Sequence, residues 1–403
     1  MNTTLTFGLI LFAGFVGGEL ANLVKLPKVT GYILAGIFLN PNFLGIVPEV
    51  FKTNVNVLTN VALAFITFSV GGSLKYTKIK VLGKGITWIT ILEAEIAFLL
   101  TTTGLMLILY FIKFFPGSSL LGFYLPVAIL LGSLASPTDP TTTLAIKTEY
   151  KAKGIVMSTI MGVAAFDDVL GIINYSIATG VAIAFIKDIP LAFSSVLDPL
   201  LSISASVVTG LCFGFLLNMI TVLVKREEDG VLLVILAGLL LLTFGVTSLL
   251  KIDPLLATMS VGVIVINFNA RQKAIFKVLE RYTDEIIFTL FFTVSGLMLN
   301  FHSLTSGSLM ILIFIFFRLA GKALGVYLGG IIAKSPEVVR KYVTGGLLPQ
   351  GGIVIGLALV MKQNPAFSAF SDFILNIVLG ATLVHELLGP LAAKISLKKA
   401  GEI

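Results

Sequence analysis

Asp167 and Asp168 stand side by side in the middle of a long apolar run, residues 154–186, with no Lys, Arg or His on it before Lys187. Each carboxylate costs on the order of 3 kcal/mol to place at the centre of a bilayer, and two neighbours cannot both ionise cheaply without a cation nearby. The pair predicts a site that binds something positive. Consecutive helical residues point about 100° apart, so the two aspartates should have different partners. Around Asp168 the helical neighbours Ala164, Ala165, Gly171 and Tyr175 leave room for another backbone or a hydrated ion.

Two further segments carry the same kind of signal. In SerLeuAlaSerProThrAspProThrThrThr (133–143), Pro137 and Pro140 flank Thr138 and Asp139 inside a stretch otherwise long enough to span a membrane. The prolines deprive the carbonyls of Ser133 and Ser136 of their helical donors, so the helix must kink or break. GlyGlyLeuLeuProGlnGlyGly (345–352) repeats the situation, with Pro349 freeing the carbonyl of Gly345 and Gly351 beside it. A break at membrane depth persists only where protein or a water-filled cavity satisfies the freed groups, and a matched pair of breaks points to a binding site.

Lys322, in ArgLeuAlaGlyLysAlaLeuGly (318–325), is the expected internal countercharge; Arg318, one turn away, is the alternative. Glu19 and Glu386, the latter beside His385, either face a cavity or reach the interface, and the interface is the favoured reading. Glu93 and Glu95 point to opposite sides of one helix, so at most one should join the core. Cys212 is read as a packing residue.

The elements that position these groups follow from composition. The 403 residues are 57% apolar and 12% charged, about half the charge of a soluble chain. Apolar runs expected to be helical lie near 4–24, 28–40, 54–74, 84–112, 120–147, 154–186, 197–224, 230–250, 254–268, 285–301, 306–333, 341–361 and 368–394, with a short surface helix within 269–284. The runs do not alternate, which excludes a β-barrel. The fold class is thus an all-α polytopic membrane protein of about thirteen transmembrane helices, the first of them a retained helix, not a signal peptide. With the N-terminus outside, only Lys52, Lys113, Lys187, Lys251 and Lys362 lie on outer connections, and the other loop lysines and arginines fall inside. That asymmetry predicts a cytoplasmic C-terminus and accounts for the net charge of +7 without nucleic acid. One cysteine and two histidines make a structural metal site improbable, and no cofactor is expected.

The chain also reads as doubled. LysLeuPro (25–27), Gly36 and Asn40 are echoed by LysIleAspPro (251–254), Gly262 and Asn267, and PheSerValGlyGlySerLeu (68–74) by PheThrValSerGlyLeuMet (292–298). An odd number of helices separates the copies, so they are inserted in opposite senses, as inverted repeats.

ProLysValThrGlyTyrIleLeuAlaGlyIlePheLeuAsnPro (27–41), ThrAspPro (138–140), PheAspAspValLeuGlyIleIle (166–173) and GlyLysAlaLeuGly (321–325), in that order, resemble the monovalent cation:proton antiporter superfamily, the sodium/proton antiporters of AspAsp type. The resemblance implies two crossed broken helices, panel or dimerisation helices in 1–83 and 229–304, core helices in 84–190 and 305–403, and a connecting helix in 191–228. It implies Asp168 as the shared carrier of cation and proton, Asp167 paired with a lysine at Lys322, and Thr138 and Asp139 at the cation site. It also implies a homodimer in the cell inner membrane, exchanging H+ for Na+, or for Li+ or K+. ThrAspPro resembles the electroneutral branch and AspAsp the electrogenic one; electrogenic exchange is the expectation. A cation-coupled solute symporter of similar fold is the alternative. An intramembrane aspartyl protease is disfavoured, because adjacent aspartates on one helix cannot face each other across a peptide bond.

Overall fold

The computed structural model describes residues 3–24, 26, 28–41, 43–47, 55–139, 150–188, 193–224, 228–298 and 301–403. In chain order the α-helices are α1 (Thr3–Leu23), α2 (Lys28–Leu39), α3 (Val55–Ser73), α4 (Tyr76–Phe111), α5 (Leu125–Ser133), α6 (Ile155–Ile186), α7 (Phe193–Val224), α8 (Asp229–Leu249), α9 (Pro254–Phe268), α10 (Gln272–Val278), α11 (Asp284–Leu297), α12 (Phe301–Ile332), α13 (Glu337–Gly346), α14 (Gly352–Gln363) and α15 (Ser371–Lys399). No strand occurs among the described residues. Among the described residues seven helices are long and apolar enough to cross a membrane, and six shorter apolar ones occupy the remaining expected positions. Helices dominate because a backbone in hydrocarbon must satisfy its own N–H and C=O groups.

Sequence-based bounds shift in four of the expected spans. α4 starts at Tyr76, eight residues before the expected start, and α15 runs to Lys399. The twelfth expected span is two helices, α13 and α14, separated at 347–351. The fifth, expected over 120–147, is a π-turn at Leu120–Tyr124 running into α5, which stops at Ser133; Pro140 and the rest of that span lie outside the described residues.

The helices fall into two compact units, Met1–Lys80 with Asp198–Met298, and Val81–Leu197 with Leu299–Ile403. In the first unit the internal repeat becomes a reciprocal packing. α2 lies on α11 through Gly36, where a Cβ would strike the Thr293 carbonyl, and through Gly296, where it would strike that of Ile33. α9 lies on α3 in the same manner, through Gly262 against the Phe68 carbonyl and Gly71 against that of Met259. The two asparagines of the repeat match as well. Asn40 Nδ2 donates to the Leu297 carbonyl at the end of α11 (2.8 Å), and Asn267 Nδ2 to the Leu74 carbonyl just past α3 (3.0 Å). Each satisfies a helix C-terminal carbonyl that has no intrahelical donor.

In the second unit α5 packs on α6, α13 on α6 and α15, and α12 on α15. Ile89, Val156, Ile160, Val163, Val343 and Leu347 belong to its buried apolar core. Two glycines seat the broken segments: a Cβ on Gly171 of α6 would strike the Pro137 ring, and one on Gly389 of α15 would strike that of Pro349.

Candidate functional site

Both breaks leave carbonyls without helical donors, and the second unit supplies the donors from side chains and from the opposite break. Asp139 N–H donates to the Pro349 carbonyl (3.1 Å), the Thr138 hydroxyl to Leu347 (3.5 Å), and Gln350 Nε2 to Leu134 (2.7 Å). The two interrupted segments therefore lie against each other. Asp139 packs over Gly351, where a Cβ would collide with its carboxylate. Its negative charge thus sits beside the start of α14, the favourable end of a helix dipole for an anion.

Arg318 and Lys322, both on α12 and both fully buried, complete the crossing. Arg318 donates through Nη1 to the Leu348 carbonyl (2.8 Å) and through Nη2 to those of Pro137 (2.9 Å) and Pro349 (3.4 Å). Lys322 Nζ donates to the Ser136 carbonyl (2.5 Å), the one that Pro140 would leave without a donor, and to Thr138 Oγ1 (2.9 Å). Cations at the carbonyl ends of α5 and α13 also complement the helix dipoles. Of the two candidates for Asp167, Lys322 is the one within reach, its Nζ 3.6 Å from Asp167 Oδ2, whereas Arg318 is engaged by carbonyls.

The closest anion to Lys322 is not Asp167. Glu93 of α4, completely buried, is in direct contact with the ammonium through Oε1. Glu95 points the other way, is half-buried, and accepts from Asn174 Nδ2 (3.1 Å), which also donates to Ser136 Oγ (3.4 Å). Sequence reasoning placed at most one of these glutamates in the core and did not assign it to the site. The available signal was Gly321, Gly325 and Gly329, four residues apart on α12. They bring its backbone against Ala97, Glu93 and Ile89, the close approach that small residues at this spacing permit between membrane helices.

Asp168 is 7% exposed and has no hydrogen-bond or ion-pair partner among the described residues. The charged groups that act on it are Asp167, Asp139 and Lys322. Neither carboxylate oxygen of the fully buried Asp167 has a hydrogen-bond partner among the described residues.

Two expectations are overturned. Glu386 does not reach an interface: it and His385 are buried in α15, and His385 Nδ1 lies 3.0 Å from Gln350 Oε1 at the second break. The α13–α14 break packs against α15 and turns this face inward, which the apolar pattern of α15 alone did not disclose. Cys212 is exposed on α7, not packed. Glu19 is part-exposed at the end of α1, 2.7 Å from Lys28.

A fold of inverted helical repeats, with buried carboxylates and cations where two broken helices cross, defines a secondary transporter. The profile described as "Sodium/hydrogen exchanger, transmembrane" matches residues 8–399, and the chain belongs to that family. It is a multi-pass membrane protein and not an enzyme. Na(+)/H(+) antiporter 1 of Methanocaldococcus jannaschii is 25% identical over 238 residues, 59% of this chain and 52% of that protein, so the match spans about half of the relative's length. The structure of the sodium proton antiporter MjNhaP1 from M. jannaschii at pH 8 superposes with a TM-score of 0.74 over 98% of both chains at 20% identity. A second structure of MjNhaP1, an electron-microscopy map, gives a TM-score of 0.74 over 100% of this chain and 99% of that one. At that identity the likeness shows the fold.

Proposed function

We propose that the chain exchanges protons for a monovalent cation, Na+ first and Li+ or K+ next, by alternating access, with Asp168 as the group that carries either. The observation that supports this reading is Asp168 itself: a buried carboxylate without a fixed partner among the described residues, on a helix held by Pro137 at the crossing of two breaks. An apolar surrounding penalises a bare carboxylate, so Asp168 is most stable with a positive species on it. A proton and a cation then exclude one another. Thr138, Asp139 and Asp167 supply the remaining oxygens for a dehydrated ion, whose hard character suits carboxylate and hydroxyl ligands.

In this reading α4–α6 and α12–α15 form the moving core, α1–α3 and α8–α11 a panel that dimerises, and α7 the connection. The protein sits in the cell inner membrane with its N-terminus outside. Movement of the core against the panel carries Asp168 between the two aqueous sides. Asp167 releases a second proton in each cycle, which makes exchange electrogenic.

In proteoliposomes with an internal pH dye, adding Na+, Li+ or K+ should move protons in the wild type. Asp168→Asn and Asp168→Ala should lose that movement while inserting and melting normally; half the wild-type exchange in either variant would sink the assignment. With the potential clamped by a potassium ionophore and Na+ as substrate, wild-type exchange should follow the potential and Asp167→Asn should follow it less. Wild-type exchange indifferent to potential overturns the electrogenic reading.

A further inference from the structure

We infer that Glu93, not Asp167, is the resident counter-ion of Lys322, and that Glu93 acts as a positioning residue that keeps the ammonium off Asp167 so that Asp167 can serve as a cation ligand. This rests on the exchange reading for its consequence but not for its pairing.

The geometry around Lys322 carries the argument. Its Nζ is in direct contact with Glu93 Oε1 and donates to the Ser136 carbonyl at 2.5 Å and to Thr138 Oγ1 at 2.9 Å. Those partners account for the three protons of an ammonium. Asp167 Oδ2, at 3.6 Å, is outside hydrogen-bond range, and both of its oxygens lack a hydrogen-bond partner among the described residues. A buried ammonium needs each of its protons hydrogen-bonded and is stabilised further when one acceptor carries the opposite charge, and Glu93 is that acceptor here.

The backbone is arranged to hold the pair. Gly325, three residues beyond Lys322, brings α12 against the Cα of Glu93, and Gly321 and Gly329 extend the same seam along α4. The glutamate is thus fixed on α4, beside Ala94, whose carbonyl accepts from Ser136 Oγ (3.1 Å) at the first break, while Asp167 shares α6 with Asp168. Without the Glu93 charge, the buried ammonium has Asp167 as its nearest remaining anion. It would turn to Asp167 and compete there with the incoming ion.

The test uses the full-length purified protein. Melting temperatures are measured in detergent for Glu93→Gln, Asp167→Asn, Lys322→Met and the doubles Glu93→Gln/Lys322→Met and Asp167→Asn/Lys322→Met. The first double should lose no more than its worse single, while the second should be near additive. Coupling confined to the Asp167 and Lys322 pair overturns the pairing. Sodium titrations then give the concentration for half-maximal thermal stabilisation and, in proteoliposomes, for half-maximal exchange. Glu93→Gln should raise both about tenfold, with the maximal exchange rate kept within about twofold, and Glu93→Asp should recover most of the shift. A lower melting temperature with unchanged sodium dependence makes Glu93 merely structural and overturns the positioning role. If the wild type moves no protons with any cation, the exchange reading fails, while the melting cycle still decides which acid holds Lys322.

Discussion

Replacing Arg318 tests whether its guanidinium serves the site as charge or as geometry. Two of its bonds are short, 2.8 Å to Leu348 and 2.9 Å to Pro137, and the third is long, 3.4 Å to Pro349. Bonds to charged donors contribute about 1.5–3 kcal/mol each in soluble proteins, but side-chain bonds within membranes average about 0.6 and reach about 1.7. Taking the two short bonds near that upper membrane value, and neglecting the long one, Arg318→Met should cost about 2–3 kcal/mol. Release of a buried charge returns part of what would otherwise be a larger loss. Arg318→Lys keeps the charge but loses the planar fork, so it cannot span carbonyls on both breaks and should cost about half as much. Denaturant unfolding in detergent, monitored by Trp88 fluorescence and circular dichroism, measures both. Since Arg318 has no carboxylate contact among the described residues, its substitution and Asp167→Asn should add to within about 0.5 kcal/mol. A lysine variant as stable as the wild type, or coupling to Asp167 above about 1 kcal/mol, would refute the geometric role.

Other consequences follow from contacts at the breaks and the helix ends. Gly171→Ala and Gly389→Ala each drive a methyl into a proline ring, Pro137 and Pro349 respectively, and should each cost about 1–3 kcal/mol while leaving every charge in place; neutral melting temperatures would mean that the breaks are not seated by these glycines. Glu402 accepts from the N–H groups of Val156 (2.7 Å) and Met157 (2.8 Å) at the start of α6. Glu402→Ala should therefore cost about 1 kcal/mol and speed amide exchange there, and unaltered exchange at both amides would show the cap to be unimportant.

Much of this was legible in the residues because the bilayer constrains what a sequence can mean. Asp167, Asp168 and Lys322 stood out since an apolar run tolerates an ionisable residue only when something answers it. Pro137 and Pro349 marked both breaks because a proline removes a particular hydrogen bond at a known offset. The repeat was visible in Gly36, Asn40, Gly262 and Asn267, residue types that pack backbones and cap helix ends, so their recurrence had a structural meaning. Glu93 and Glu386 were harder to place. An acid near other polar residues on a helix looks the same whether it faces lipid headgroups or a partner across the bundle, and the partner is set by helix rotation. For Glu93 the deciding feature was the glycine seam on α12; for Glu386 it was the packing of α15 against a break more than thirty residues earlier in the chain. The roles divided between Arg318 and Lys322 were likewise invisible in sequence, where the two are one turn apart and equally buried.

The distribution of fixed charge gives a reason for the site's composition. Lys322 is answered by Glu93. Arg318 is answered by carbonyls at the ends of α5 and α13, whose dipoles oppose its charge without cancelling it. Asp139 lies beside the start of α14 and against its glycine. The negative charge left without a hydrogen-bonded fixed partner among the described residues is therefore on α6, at Asp167 and Asp168. Two carboxylates in sequence, desolvated together, cannot both remain ionised unless a positive species joins them. In the exchange reading that species is mobile, either a proton or a cation, and the two compete because they neutralise the same charge. A third lysine or arginine beside Asp168 would stabilise the bundle and abolish the competition, since a tethered cation would occupy the place that an exchanged ion must enter and leave.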